Sequence, residues 1–140
     1  MFVLDTNVIS ELRRPERAHS GVLAWASASS LSDFYLSAIT LLELEIGALS
    51  IARKDGPQGV LFRIWIDRIV VPQFDGRILP VDADVARRCA PSRVPDRRSD
   101  RDALIAATAL VHGFAVVTRN VADFAPTGVR VVNPWAPPPA

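Results

Sequence analysis

The stretch FVLDTN, residues 2–7, decides the class of fold. Three apolar residues run without alternation into a carboxylate, Asp5, and then into two small polar residues, Thr6 and Asn7. A continuous apolar run of this kind predicts a strand buried on both faces of a parallel sheet. In open sheets of this class, ligands bind in the crevice outside the carboxyl ends of the strands. We therefore expect Asp5 to face such a crevice, with the alternative that it only caps the following helix.

Strand-like and helical segments alternate along the rest of the chain. Further strands are predicted at residues 34–38, 78–81 and 114–118, with a possible fifth at 129–132. Helical patterns are found at 8–14, 21–28, 40–53, 60–71, 85–90 and 101–112. This alternation predicts one domain over residues 1–132, with a parallel sheet of four to five strands covered by helices on both faces. The Pro-rich tail, 133–140, is expected to be loosely ordered.

Composition restricts the class of protein only weakly. The chain has 140 residues, 22% of them charged, and a formal net charge of +1, so its bulk charge does not indicate a nucleic-acid-binding protein. All of its basic residues except Lys54 are Arg, and six Arg lie in the segment 87–101. That segment is either a phosphate-binding rim or a solvated loop.

The single cysteine and the hydropathy pattern bear on the cellular compartment. Cys89 excludes an intrachain disulfide and is expected to be a small buried side chain. The sequence shows neither a signal-peptide pattern nor an apolar run of the roughly 18 residues needed to cross a bilayer. We expect a cytoplasmic protein without membrane attachment.

Three further acids follow strand–helix junctions. Glu43 comes after the second predicted strand, Asp102 opens the last long helix, and Asp123 follows the strand at 114–118. Each has a local alternative: Thr40 to Glu43 and Ser99 to Asp102 fit the capping-box pattern, and Asp123 fits the cap of a short turn. Strand ends and helix starts share one edge of a parallel α/β sheet, so all four acids are predicted to converge there.

Neighbouring acids are predicted to lie outside this group. Glu45 is two residues from Glu43, and Asp100 is two residues from Asp102, which turns each about 200° away on a helix. Four convergent carboxylates repel one another, and a divalent cation removes most of that repulsion. A ligand set of oxygens, without a pair of Cys or His, favours Mg²⁺ or Mn²⁺ over Zn²⁺.

Four segments form an ordered set of motifs. They are VLDTNVISEL at 3–12, SAITLLELEIGAL at 37–49, DALIAATALVHGFAVVTRNVADF at 102–124 and VNPW at 132–135. With these motifs the sequence resembles the PIN-domain nucleases and, within them, the VapC-type toxins of bacterial toxin–antitoxin pairs. The resemblance covers nearly the whole chain and is weakest at 21–32 and 54–77. It implies a PIN-like three-layer α/β/α sandwich around the parallel sheet.

The resemblance also implies a chemistry and a set of site residues. It implies a Mg²⁺-dependent endoribonuclease, with Mn²⁺ able to substitute, in which water activated by the metal hydrolyses RNA phosphodiester bonds. The catalytic acids and metal ligands would be Asp5, Glu43, Asp102 and Asp123. Substrate-binding or site-lining positions would be Thr6, Asn7, Thr118 and Asn120, and Arg119 is a further candidate for a substrate phosphate.

The resemblance implies partners as well. As the toxin of a type II toxin–antitoxin system, the protein would bind RNA as substrate and a cognate protein antitoxin. It would form a homodimer, for which the apolar helical residues at 41–49 and 61–71 offer surface.

Two alternatives remain. A catalytically silent PIN-like module that binds RNA or protein would have the same fold without the reaction. A phosphatase of the haloacid dehalogenase type also begins with a strand that ends in Asp, but it needs a second Asp two residues later, where this chain has Asn7.

Overall fold

A five-stranded parallel sheet forms the centre of the molecule. The computed structural model describes residues 1–94 and 99–137. The strands are β1 Phe2–Leu4, β2 Phe34–Ser37, β3 Ile78–Leu79, β4 Ala115–Val117 and β5 Val131–Val132, and their order in the sheet is β3-β2-β1-β4-β5. The predicted parallel sheet is confirmed, with the fifth strand present. All strands except β1 are one or two residues shorter than predicted.

Helices connect the strands and cover both faces. The α-helices in the described residues are α1 Thr6–Leu12, α2 Ser20–Ala28, α3 Ala38–Lys54, α4 Gly56–Trp65, α5 Val71–Gln73, α6 Ala83–Cys89, α7 Asp100–His112 and α8 Val121–Phe124. A π-helical stretch, Ile66–Val70, joins α4 to α5. The start of α4 precedes the predicted one because the Asp55 side chain accepts a hydrogen bond from the backbone N of Gln58 at 3.1 Å and so caps the helix earlier.

Side chains that alternate along the strands form a core on each side of the sheet. Leu4 and Val117 pack on one side with apolar residues of α1, α3 and α4. Val3 and Val116 pack on the other side with α7 and α8. Cys89 is buried in a smaller cluster between α6 and α7, as expected for a small apolar side chain. The three-layer α/β/α arrangement follows from these two cores.

The predicted start of α3, at Thr40, is wrong. The helix α3 begins at Ala38, and the Ser37 hydroxyl accepts a hydrogen bond from the backbone N of Ile39 at 3.1 Å. Thr40 lies inside the helix, so the capping box expected between Thr40 and Glu43 is absent. Glu43 is therefore in the second turn of α3, where it receives less from the helix dipole than a first-turn carboxylate would.

The beginning of the tail is packed and not loosely ordered. Pro134 is buried, and Trp135 packs against the core on the α1 side. The tail passes so close to α2 that a Cβ at Gly21 would lie 2.6 Å from the carbonyl oxygen of Pro134. The domain boundary at residue 132 stays a prediction. Residues 95–98 of the Arg-rich segment and 138–140 of the tail lie outside the described residues.

Candidate acidic active site

Asp5 follows β1 directly and is the N-cap of α1. Its Oδ1 accepts a hydrogen bond from the backbone N of Thr6 at 2.8 Å. Its Oδ2 accepts from Thr118 Oγ1 at 2.7 Å and from Asn7 Nδ2 at 3.4 Å. Thr118 follows β4, the neighbour of β1 in the sheet. Asp5 therefore has the capping contact and also lies at the carboxyl edge of the two strands, where the residue is only 4% exposed.

Thr6 connects Glu43 to Asp5 through hydrogen bonds to both carboxylates. Thr6 Oγ1 donates a hydrogen bond to Glu43 Oε1 at 2.8 Å, while the Thr6 backbone N contacts Asp5. The second carboxylate oxygen of Glu43 lies 3.7 Å from Nη1 of Arg101. Glu45 pairs instead with Arg63 of α4, at 2.5 Å. The structure thus separates Glu43 from Glu45 as expected.

Asp102 and Asp123 approach the same edge from the other side of the sheet. Asp102 is partly buried in the first turn of α7, and Asp123 is exposed in α8. The backbone N of Asp102 donates to Ser99 Oγ at 3.4 Å, which is one half of the predicted capping box. Asp100 forms an ion pair with Arg93, and its side chain is 79% exposed. Asp100 is therefore not part of the acidic group.

The four carboxylates act on one another electrostatically. Burial is the main reason that the pKa of Asp5 is raised above 3.8, and the charges of Glu43 and Asp123 raise it further against the hydrogen bonds that Asp5 accepts. The pKa of Asp102 is raised to about 6, first by burial and then by the charges of Asp5, Asp123 and Glu43. Mutual effects of this kind place Asp5, Glu43, Asp102 and Asp123 in one group.

The predicted lining residues form a hydrogen-bonded rim beside Asp5. Thr118 Oγ1 accepts from Asn7 Nδ2 at 3.3 Å and from the backbone N of Asn120 at 3.0 Å while it donates to Asp5. Asn7 Oδ1 accepts from the backbone N of Arg119 at 3.3 Å. The Thr118 hydroxyl thus donates one hydrogen bond and accepts two, which is its full capacity, so its orientation toward Asp5 is fixed.

The donor set fits a hard divalent cation. Its members are carboxylates with hydroxyl and amide neighbours, and such oxygen ligands are those that Mg²⁺ and Mn²⁺ prefer. Among residues 1–94 and 99–137, no three acidic, histidine or cysteine side chains are already arranged so that they could hold a metal ion. The acids therefore form an open group that would have to close on a cation. The pKa values of Asp5 and Asp102 are raised first by burial and then by the repulsion among the acids, which a cation would relieve.

Comparison with known proteins identifies the family. Residues 2–126 match the PIN domain family. The chain belongs to this family. It is 42% identical over 144 residues to the VapC ribonuclease Y4jK of Sinorhizobium fredii, a match that covers 98% of this chain and 99% of the relative. The resemblance to PIN-domain proteins drawn from the sequence motifs is thereby confirmed.

Solved structures of this family have the same fold. The crystal structure of FitAcB from Neisseria gonorrhoeae superposes with a TM-score of 0.87 at 38% identity, covering 96% of this chain and 99% of that one. A toxin–antitoxin complex from Klebsiella pneumoniae superposes with a TM-score of 0.68 at 27% identity, covering 96% of this chain and 98% of that one. PIN-domain ribonucleases of the VapC type are in general metal-dependent. Within the part of the chain that the structure describes, no helix is both long and apolar enough to cross a membrane.

The sequence analysis did not single out Arg101. It was one of six Arg in the segment 87–101, and nothing in the local sequence connects it with Glu43. Its contact with Glu43 joins α7 to α3 and depends on how these helices cross. A usable signal was its position in the first turn of a predicted helix, where a positive charge is unfavourable.

Proposed function

We propose that this PIN-domain protein is a Mg²⁺-dependent endoribonuclease and the toxin of a type II toxin–antitoxin pair. The observation that carries the proposal is the group of four mutually interacting carboxylates at the carboxyl edge of the central strands. The name of the relative from Sinorhizobium fredii, VapC ribonuclease, supports RNA as the substrate class.

The residues that would hold Mg²⁺ are Asp5, Glu43, Asp102 and Asp123, and Mn²⁺ would substitute. The chemistry that a bound divalent cation supplies is activation of water near neutral pH and neutralisation of charge on the phosphoryl oxygens. Such hydrolysis does not need the 2′-hydroxyl of RNA as nucleophile, so the products carry 5′-phosphate and 3′-hydroxyl ends.

The chain itself positions these acids and binds the substrate. Thr6 holds Asp5 and Glu43 at a fixed separation, since it donates to both. Thr118 and Asn7 fix the other oxygen of Asp5. Arg119 is exposed at the rim, where a guanidinium suits a substrate phosphate.

Partners follow from the same family. The comparison with a toxin–antitoxin complex supports a protein antitoxin as partner. An apolar cavity of about 600 Å³ between α1, α2 and the α4–α5 region, with Trp65 and Phe74 in its wall, offers surface for such a partner. The lone buried thiol of Cys89 supports a reducing compartment, the cytoplasm.

A homodimer would cover a second apolar surface. Leu42, Ile46 and Leu49 form an exposed row on α3, beside exposed Leu61 and Ile64 of α4. Rows of this size on one face are typical of protein interfaces. We expect light scattering at micromolar concentration to give the mass of a dimer, and a monomer there would contradict this part of the proposal.

The experiment that tests the function is cleavage of total RNA by the purified protein and by its Asp5→Asn variant. The wild type should cleave with Mg²⁺ and not with EDTA. Asn is as good an N-cap as Asp, so the variant removes the charge and leaves the cap of α1. Activity should fall by at least about a hundredfold, and the melting temperature of the metal-free protein should stay level or rise because repulsion is relieved.

The matched control is Asp82→Asn. Asp82 caps α6 by accepting from the backbone N of Val85 at 3.0 Å and lies outside the acidic group. This variant should keep full activity. If the wild type binds RNA and never cleaves it, the chain is the silent binding module. If Asp5→Asn stays active but melts at a clearly lower temperature, Asp5 is only a structural cap.

A further inference from the structure

Arg101 is a cation inside the acidic group. It lies in the first turn of α7, and its Nη1 is 3.7 Å from Oε2 of Glu43. The contact crosses from α7 to α3, and α3 supplies no other residue to the group of four acids. About half of the Arg101 side chain is exposed, compared with 23% of that of Glu43. The pair is therefore loose, accessible and able to rearrange.

The position of Arg101 is unfavourable for helix stability. A positive charge in the first turn of an α-helix is repelled by the helix dipole, and acids are preferred there. Asp100 and Asp102, on either side of it, follow that preference. The ion pair that Arg101 forms is with Glu43 across the site, and its charge also acts favourably on the neighbouring carboxylate of Asp102.

A divalent cation and Arg101 would compete for Glu43. A cation held by Glu43 would repel the guanidinium and also take its carboxylate partner. A guanidinium released beside a metal-dependent phosphodiesterase site would be placed to bind a phosphate oxygen of the substrate. Arg binds phosphate through two parallel N–H donors, which a point charge cannot do.

We propose that Arg101 exchanges partners during the reaction cycle, from Glu43 in the metal-free protein to a phosphate of the RNA in the loaded one. The proposal rests on the proposed ribonuclease function. It assigns Arg101 two measurable effects of opposite sign: it weakens metal binding and it strengthens RNA binding. A residue with a merely structural role would not have both.

The chain contains a matched control pair. Arg63 of α4 contacts Glu45 at 2.5 Å, and Glu45 is two residues from Glu43 on the same helix but faces away from the site. The Arg63 side chain is 36% exposed, so the two Arg–Glu pairs are comparably accessible. Arg63→Gln removes an Arg–Glu pair of the same chemical type without touching the acidic group.

The first experiment is calorimetric titration of the metal-free protein with Mn²⁺. Arg101→Gln should bind Mn²⁺ about two- to fivefold more tightly than the wild type, the range expected when an accessible ion pair no longer has to be broken. Arg101→Lys keeps the positive charge and should stay near the wild-type affinity. Arg63→Gln should leave the affinity unchanged.

The second experiment measures binding of a fluorescein-labelled oligouridylate by anisotropy. It is done with EDTA and again with Ca²⁺, which also takes oxygen ligands, and intact RNA is verified on a gel. With Ca²⁺, Arg101→Gln should bind about five- to tenfold more weakly than the wild type, and the slope of log affinity against log salt should become shallower by about 0.7, one phosphate contact. With EDTA the variant and the wild type should differ by less than about twofold, because Arg101 is then engaged by Glu43.

The outcomes separate this proposal from the proposed function. Equal or weaker Mn²⁺ binding by Arg101→Gln, or an unchanged RNA affinity with Ca²⁺, overturns the exchange of partners even if the wild type cleaves RNA. A wild type that binds Mn²⁺ but does not cleave overturns the ribonuclease, while both binding experiments still decide the role of Arg101. A wild type that binds no Mn²⁺ overturns both.

Discussion

Substitution of Asp102 by Asn should stabilise the metal-free protein while it weakens metal binding. Asp102 is partly buried among three other acids, and its pKa is raised to about 6. Near neutral pH its charge is therefore a cost to the folded state. The amide of Asn keeps the shape of the side chain and removes that charge.

The pKa shift sets the size and the pH window of the effect. A rise from 3.8 to about 6 corresponds to about 3 kcal/mol at 1.36 kcal/mol for each pKa unit. Partial exposure and solvent screening reduce this to about 1–2 kcal/mol. Because the folded-state pKa is the higher one, the unfolded chain releases its proton first as the pH rises. The stability of the wild type thus falls between pH 3.8 and about 6 and then stays level.

Thermal unfolding in EDTA, followed by calorimetric titration with Mn²⁺, measures both effects. Near pH 7.5, Asp102→Asn should melt about 3–8 °C above the wild type, and near pH 4 the difference should nearly vanish. Mn²⁺ affinity should fall by at least about tenfold.

Asp100→Asn is the matched control for the placement of Asp102. Its exposed side chain contacts Arg93, so the variant should lose about 1 kcal/mol or less and keep its metal affinity within a few-fold. If Asp100→Asn loses metal binding and Asp102→Asn keeps it, the assignment of the acid in α7 is wrong. If Asp102→Asn is destabilised at neutral pH, the repulsion argued here is absent.

Two further predictions concern helix packing and the rim of the site. Gly59→Ala should lower the free energy of unfolding in urea by about 1–3 kcal/mol, because its Cβ would lie 2.6 Å from the backbone of α3. Gly47→Ala, whose Cβ meets only an aromatic ring at 3.9 Å, should instead raise it by about 0.5–1 kcal/mol, and equal effects would contradict the close approach. Trp135→Leu should raise the KM for RNA about two- to fivefold at constant kcat, since the Arg119 guanidinium lies 5.7 Å from the centre of the Trp135 ring and would lose that contact. The same substitution in an Arg119→Gln background should change KM no further.

The sheet and the four acids could be predicted because their signals are local. The strand β1 is a short apolar run, and the acid that ends it faces the carboxyl edge in any parallel α/β sheet. The helix α7 was placed within one residue by Ser99 at its start and by Gly113, which has a φ of 72° at its end. No distant residue is needed to interpret these patterns.

The start of α3 could not be decided locally, because two residues compete for the same role. Ser37 and Thr40 are both good N-caps. In the sequence, Glu43 lies three residues after Thr40 and so completes the capping-box pattern. Ser37 lies at the end of β2, which has to leave the sheet there, so tertiary structure decides for Ser37. Thr40 is left buried, with a hydroxyl that has no hydrogen-bond partner in the described residues.

The packing of the tail and the contact of Arg101 depend on residues that are distant in sequence, so composition and local patterns could not predict them. Pro-rich ends are usually loose, and nothing local shows that Pro134 fits against Gly21 or that Trp135 reaches Arg119. The contact of Arg101 with Glu43 in turn can be recognised only once α3 and α7 are in place.

The capping role of Asp5 and its proposed metal-binding role support each other. A carboxylate as buried as that of Asp5, which is 4% exposed, destabilises the folded protein unless it accepts hydrogen bonds. Thr6, Asn7 and Thr118 donate these hydrogen bonds. The same donors prevent Asp5 from turning away from Glu43 when no cation is present. They do not remove the repulsion, since burial and the neighbouring acids still raise the pKa of Asp5. The fold therefore holds the acids together despite their mutual repulsion. A cation that binds only the folded state would relieve this repulsion and so stabilise the folded protein.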